Sequence, residues 1–352
     1  MAKKQKNSRA PRVTPDQFMQ LQFLERRVPG IRFSEDYTVM EYFPADSDEQ
    51  ETFLPECITT IAAAAFADCA NLYKISLPKS LTTIGEEAFR GCRNLREIVI
   101  PDNVTMIGSG AFSGCTTLKK VTFPRNLETI SSCLFFNCEY LMKLVFPPDC
   151  RLTTIEEAAF KCCTSLFRAQ LPEGLTTIGA EAFSQCVDLE NLKFPGTLAS
   201  IAPGAFSECS SLKKLEIPDG TTEIGMAAFE ESGLESVVIP DSVTSIDYGV
   251  FSNCAGLKSV KLPRNLESIE EFAFSDCSSL TGVDIPGSVT RIGPSAFEGC
   301  TSLTSISLPD SIEEIGDSAF SNCPALESVR LPEGLEIKKE EVFRGNEKLL
   351  KS

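Results

Sequence analysis

The chain has 352 residues, with 49 acidic against 33 basic side chains and no histidine. The net charge of −16 argues against a general affinity for nucleic acid or anionic lipid, and the missing histidine removes Ser-His-Asp catalysis, Cys-His catalysis and histidine-ligated metals. A hydrophobic content of 42% suffices for a packed core and excludes wholesale disorder, while no run of 18 apolar residues exists to cross a membrane.

Residues 1–13 are basic (Lys3, Lys4, Lys6, Arg9, Arg12) and read as a disordered tail. They lead into no apolar signal region, they lack the glycine for myristoylation, and the last residues offer no prenylation cysteine. A cytoplasmic protein is therefore expected, its 15 cysteines kept as free thiols by a reducing compartment. Residues 14–52 read as an N-terminal cap, with a separate partner-binding peptide as the alternative. Thr14-Pro15-Asp16-Gln17 has the form of a helix start: a threonine N-cap, proline at the first helical position and glutamine three residues after the cap. Phe18, Leu21 and Leu24 should then pack on the first winding of the array. Residues 37–43 alternate weakly as a capping strand would, and the acidic residues 45–51 read as a loop.

From residue 53 onward the punctuation is periodic. Thirteen of 21 prolines, 11 of 15 cysteines and 13 of 24 phenylalanines each fall at one recurring phase, which is the signature of one repeat array rather than two globular halves. The anchoring phenylalanines run from Phe66 to Phe343, and ten of their twelve intervals are 23 residues. One unit contains Leu95, Ile98, Ile100, Pro101, Val104, Ile107, Gly108, Ala111, Phe112 and Cys115. Ile98-Val99-Ile100 alternates with period two, as a short strand does. Pro101 ends that strand because it has no N–H for a ladder. Val104 and Ile107 point inward from the next side of the winding. Glycine follows the isoleucine in only six of twelve units, so a strict positive-φ requirement is not expected at that turn. The spacing of three in Ala-Phe-x-x-Cys-x-x-Leu suits helical or 3-10 turns on the opposite side. The phenylalanines should stack in a row through the core.

The cysteine phase suits a small, weakly polar side chain in a tight corner facing backbone carbonyls. Parallel Cβ vectors and the odd count of 11 argue against disulfides along the ladder. With no C-x-x-C pair, a zinc site is not expected either. Two windings are irregular: Pro148-Asp149-Cys150 adds two residues to one corner, and Glu231-Ser232-Gly233 removes one from another. Both read as tolerated variation. Lys338 at the isoleucine phase and Asn346 at the cysteine phase are the polar replacements of a final, capping winding.

This pattern resembles the BspA-like, or Treponema pallidum type, leucine-rich repeats. The residues that carry the likeness include Leu171-Pro172-Glu173-Gly174-Leu175-Thr176-Thr177-Ile178-Gly179 with Ala182-Phe183 and Cys186. The resemblance implies an α/β repeat protein, a leucine-rich-repeat solenoid over residues 53–352. Its expected form is one parallel β-sheet, about 13 windings of 23 residues, short helical or 3-10 turns opposite, and a C-terminal cap winding. It also implies a binding role, since family members include bacterial and protist surface proteins that bind host or matrix proteins. It carries no catalytic motif.

The outward strand positions include Lys74, Lys120, Lys143, Arg168, Lys193, Lys214 and Lys261, a basic stripe on an acidic body. Such a stripe can dock an acidic segment of a protein partner, or it can be a solvated face that keeps the solenoid soluble. No cofactor is expected. Gly108-Ser109-Gly110 with Gly114 imitates a dinucleotide fingerprint, but no βαβ unit surrounds it. The pairs Glu86-Glu87, Glu156-Glu157 and Glu270-Glu271 are spread around the array, and Cys57, Cys133, Cys150 and Cys162 lie off the ladder with no histidine to activate them. The expected function is a non-catalytic protein-interaction scaffold. A surface or secreted adhesin of the BspA type is the alternative.

Overall fold

The structure, a computed structural model, describes residues 13–346 and Leu349. The basic tail expected at residues 1–13 therefore lies, apart from Val13, outside the described residues. Helix α1 spans Pro15–Arg27, with the Thr14 side chain accepting from the Gln17 N–H and the Gln17 side chain accepting from the Thr14 N–H, a reciprocal capping box. Leu21 and Leu24 are buried, as expected of the inward stripe. Phe18 is not: it is 42% exposed and meets Tyr37 edge-on at 6.1 Å. It lies three residues before Leu21, but Tyr37 rather than the core receives it.

Nearly every winding contributes a three-residue strand whose middle side chain turns toward the core; at residues 282–284 only Asp284 bridges to Ser307. Glu97–Val99 and Lys120–Thr122 pair in parallel, with Ile98 opposite Val121 and both buried. A second parallel row runs along the adjoining side, built from two-residue strands such as Thr60–Ile61, Thr83–Ile84 and Met106–Ile107, with each isoleucine inward. The expected strand row is thus joined by another, at the place where Val104 and Ile107 turn inward. The windings also begin earlier than residue 53. Val39–Tyr42 pairs in parallel with Thr60–Ile61, Glu51–Phe53 pairs in parallel with Lys74–Ser76, and Phe43 stacks on Phe66 at 5.1 Å. The acidic segment read as a loop therefore ends in a strand. Phe43 precedes Phe66 by the same 23 residues as its successors, but without the alanine and cysteine that mark the other rungs.

The third side carries the short turns expected there, closed by bonds spanning three residues rather than by a continuous helix. The Ala111, Ser113 and Cys115 N–H groups donate to Gly108, Gly110 and Phe112 within the winding. Between them, the N–H groups of Gly110, Phe112 and Gly114 donate to Ser132, Leu134 and Phe136 of the next winding. Alternate amides thus point along the solenoid axis, which a continuous helix cannot do. From Phe66 to Phe320 the reversal requires positive φ two residues before and two after the phenylalanine: 63° at Gly110 and 70° at Gly114, but also 52° at Glu87 and 57° at Asn137. Gly108 has an ordinary φ and another reason to be glycine: a Cβ there would lie 2.3 Å from the Glu86 backbone nitrogen of the winding below.

Fourteen phenylalanines, Phe43 to Phe343, form a single column with ring centroids 4.9 to 5.7 Å apart and planes within 27°. The ladder thiols face backbone carbonyls: ten of them, from Cys92 to Cys323, donate to the phenylalanine carbonyl of the preceding winding at 3.1 to 3.3 Å. All are free thiols. Asn346 takes over that role at the end: its amide nitrogen donates to the Phe320 carbonyl and its amide oxygen accepts from the Cys323 N–H, both at 2.7 Å. It is buried, so its polarity serves the backbone rather than the solvent. Neither irregular winding breaks the column; Phe135–Phe160 and Phe229–Phe251 remain stacked at 5.5 and 5.7 Å.

Candidate functional site

The strand row exposes two residues per winding, and register decides which of them meet. Lys143 lies directly opposite Lys120 on one side and Arg168 on the other. Adjacent strands are about 4.8 Å apart, so three cations stand in line across three windings. Lys120 approaches Glu97 at 4.0 Å, whereas among the described residues neither Lys143 nor Arg168 has an ion-pair partner. A second group forms further along. Arg168, Asn191, Lys193, Lys213 and Lys214 border a groove of about 480 Å³, and Lys193 and Lys214 continue into one of about 470 Å³ with Leu215 and Asp219. The strand ladder is interrupted between Asn191–Lys193 and Lys214–Glu216, where these grooves lie.

Two candidates stand apart. Lys74 pairs with Glu51 at 3.5 Å, beside the Tyr73 hydroxyl, which donates to the same carboxylate and with Lys74 holds its carboxyl below the usual range. Lys261 is separated from Lys214 by the Ser236–Val238 strand and lies near Asp241, whose carboxyl is held low chiefly by hydrogen bonds from Arg264. The N-terminal end has its own groove of about 980 Å³, bordered by Tyr73, Lys74, Arg96, Glu97, Val99 and Phe123, again where the ladder is interrupted. Arg96 sits over the Tyr73 ring at 5.8 Å.

The residue that precedes each strand, which strand alternation does not single out, also borders this face. Tyr73, Arg96, Lys119, Met142, Phe167, Glu190 and Lys213 hold that corner, and several of them border the same grooves as the strand residues. They repeat with the period of the array, so their phase was visible; their outward direction depends on the bend of the backbone into the strand.

The weaker motifs have structural employment. Gly110 and Gly114 supply positive φ. Glu156 accepts from Ser132, and Glu270 pairs with Arg291. The off-ladder thiols of Cys57, Cys133, Cys150 and Cys162 are pushed up by burial, which disfavours the reactive thiolate. Asn103, in a glycosylation sequon, donates its side-chain amide to the Lys79 carbonyl at 2.7 Å. Among the described residues there is no group of three acidic or cysteine side chains placed to hold a metal, and no helix is long and apolar enough to cross a membrane.

The profile described as BspA type leucine rich repeat region matches residues 41–151, 148–256 and 222–350. A leucine-rich repeat protein from Bacteroides ovatus ATCC 8483 is 30% identical with a TM-score of 0.72, over 91% of this chain and 89% of that one. A leucine rich cell surface protein from Faecalibacterium prausnitzii A2-165 is 27% identical with a TM-score of 0.51, over 85% and 92%. A leucine-rich repeat protein from Eubacterium ventriosum ATCC 27560, 20% identical with a TM-score of 0.56 over 90% and 98%, shares the fold. No curated protein matches. With the stacked phenylalanines, the buried thiols and the parallel strand rows all at the 23-residue period, the chain belongs to the BspA type leucine-rich repeat family.

Proposed function

We propose that the protein is a non-catalytic interaction scaffold that docks an acidic segment of a partner protein on its strand face, within the cytoplasm. One observation carries the reading: Lys120, Lys143 and Arg168 stand in register on adjacent strands. Like charges directly opposite on neighbouring strands are destabilising, and this chain has 16 more acidic than basic side chains with which to relieve them. A basic line kept on an acidic body at that disadvantage fits the recognition of a complementary anion-bearing surface. The family match indicates no catalytic family. The free thiols fit a reducing compartment.

The test is affinity capture from native cells with the wild-type chain and with Lys120→Glu/Lys143→Glu/Arg168→Glu. Partners retained by the wild type should be lost by the variant, and their capture should weaken as salt rises. Equal capture by both proteins rejects this face. A second reading, a surface adhesin, draws on the cell-surface relative at 27% identity. Surface labelling of intact cells separates the two: labelled protein favours the adhesin, protein protected until lysis the scaffold.

A further inference from the structure

The cation line has an apolar neighbour. Met142 and Phe167 immediately precede Lys143 and Arg168, and the register that pairs those two cations places Met142 beside Phe167. Met142 is 53% and Phe167 43% exposed, and Tyr140, two residues earlier in the same corner, is 54% exposed. Lys119 occupies the position before them, and its carbonyl accepts from the Met142 N–H at 3.0 Å. Elsewhere this row is mostly charged: Arg96, Lys119, Glu190 and Lys213. Among the described residues, these two windings alone hold large apolar side chains side by side there, and the adjoining strand cations Lys143 and Arg168 have no ion-pair partner.

Grouped exposed apolar side chains mark interaction sites, and aromatic residues, methionine and arginine are the types enriched where interfaces bind. We infer that the Tyr140–Met142–Phe167 corner is the anchoring point of the docking face: it takes large apolar side chains of an extended acidic segment whose carboxylates meet Lys120, Lys143 and Arg168. This rests on the scaffold reading and adds to it a specificity element. The basic line supplies attraction and steering, which many acidic segments share. The corner selects those with apolar residues beside the acid. The occupant is a protein segment because a short peptide can pair a few carboxylates with large apolar side chains, whereas nucleic acid carries a charge at every phosphate against a −16 body and has no such side chains for the corner.

Selection of a phage-displayed random dodecapeptide library on the full-length protein tests this. Enriched peptides should carry Asp or Glu together with large apolar residues. Their affinity, read by fluorescence anisotropy, should fall about tenfold in Met142→Ser/Phe167→Ser, the loss expected of a binding anchor. The exposure of both side chains leaves the fold intact in that variant, which circular dichroism checks. Peptides enriched for acid alone, with affinity unchanged in the variant, would overturn the anchor while leaving the basic face standing. Enrichment of basic peptides, or affinity unchanged in Lys120→Glu/Lys143→Glu/Arg168→Glu, would overturn both. Tighter binding of single-stranded oligonucleotide or of phosphatidylserine vesicles than of any selected peptide would likewise reject the protein segment as occupant.

Discussion

The Sγ of Cys115 donates to the carbonyl oxygen of Phe89, one winding back, at 3.2 Å. That contact ties the two periodic features of the chain together. Phe89 fills the centre of its winding and stacks on Phe112 at 5.1 Å, while its carbonyl faces the corner beside the column. A buried carbonyl needs a donor. A thiol supplies one at the size of a small hydrophobe, and it leaves the corner without the bulk of an amide or the strong hydration of a hydroxyl.

Burial also makes these thiols an alkaline liability. It pushes Cys115 and Cys209 up to about 12 and Cys254 to about 11 from an ordinary 9.0. A folded-state value above the unfolded one means that the folded protein holds the proton more tightly. The associated stabilisation is complete below pH 9 and is lost as pH rises from 9 through about 12. The urea midpoint should therefore fall steeply between pH 9 and the folded-state values, with thiolate absorbance at 240 nm appearing together with unfolding. Thiolate absorbance that develops while the far-ultraviolet circular dichroism stays native would contradict this. Cys115→Ala should cost about 1 kcal/mol at neutral pH through the lost hydrogen bond, and should make the alkaline loss shallower.

The aromatic column predicts a different kind of failure. Phe183 is fully buried and stacks on Phe160 at 5.1 Å and on Phe206 at 5.3 Å. Phe183→Ala should cost roughly 3–5 kcal/mol. Because each winding contacts mainly its neighbours, that loss should be local. Hydrogen exchange should show protection lost in the windings around residues 160–206 and kept near Phe66 and Phe297. A uniform loss along the chain would mean that the solenoid unfolds as one unit.

The column, the thiol ladder and the strand row were legible because each repeats a residue type at one phase. What escaped was set by backbone direction rather than by side-chain identity. Phe43 kept the period but not its companions. The second strand row rests on two residues per winding, too few for an alternation to register. The positive-φ positions hold Glu87, Cys133 and Asn137 as readily as Gly110, so no residue type announces them. At the candidate site, Lys143 and Arg168 could be named from alternation alone, whereas Met142 and Phe167 could not, since their exposure follows from the bend that leads into the strand.

Two glycines only two residues apart should respond differently to the same change. At Gly108 a methyl group would meet backbone, 2.3 Å from the Glu86 nitrogen and 2.7 Å from the Gly85 carbonyl carbon. The windings would have to separate, at about 1–3 kcal/mol. At Gly110 the nearest atom is a Glu87 side-chain carbon at 3.6 Å, and the φ of 63° is one that Glu87 and Cys133 adopt at the same phase. Gly110→Ala should therefore cost about 1 kcal/mol, the ordinary strain of a left-handed residue. Urea midpoints of the two variants decide it, and a reversed order would show that spacing between windings is looser than the backbone contacts indicate.

Lys143 offers the sharpest separation of stability from binding. It stands between Lys120 and Arg168 in register, so Lys143→Glu converts two repulsive neighbours into two attractive ones. Cross-strand pairs of opposite charge are worth about 0.2–1 kcal/mol relative to neutral pairs. The variant should therefore be more stable than the wild type at low salt, with the gain shrinking as salt screens it. Its affinity for acidic peptides should fall at the same time, because the carboxylate now faces the incoming segment. A solvated lysine with no binding role gives the first effect without the second. A variant that is both less stable and unchanged in binding would remove the argument from charge altogether, since the wild-type line would then bear no electrostatic strain.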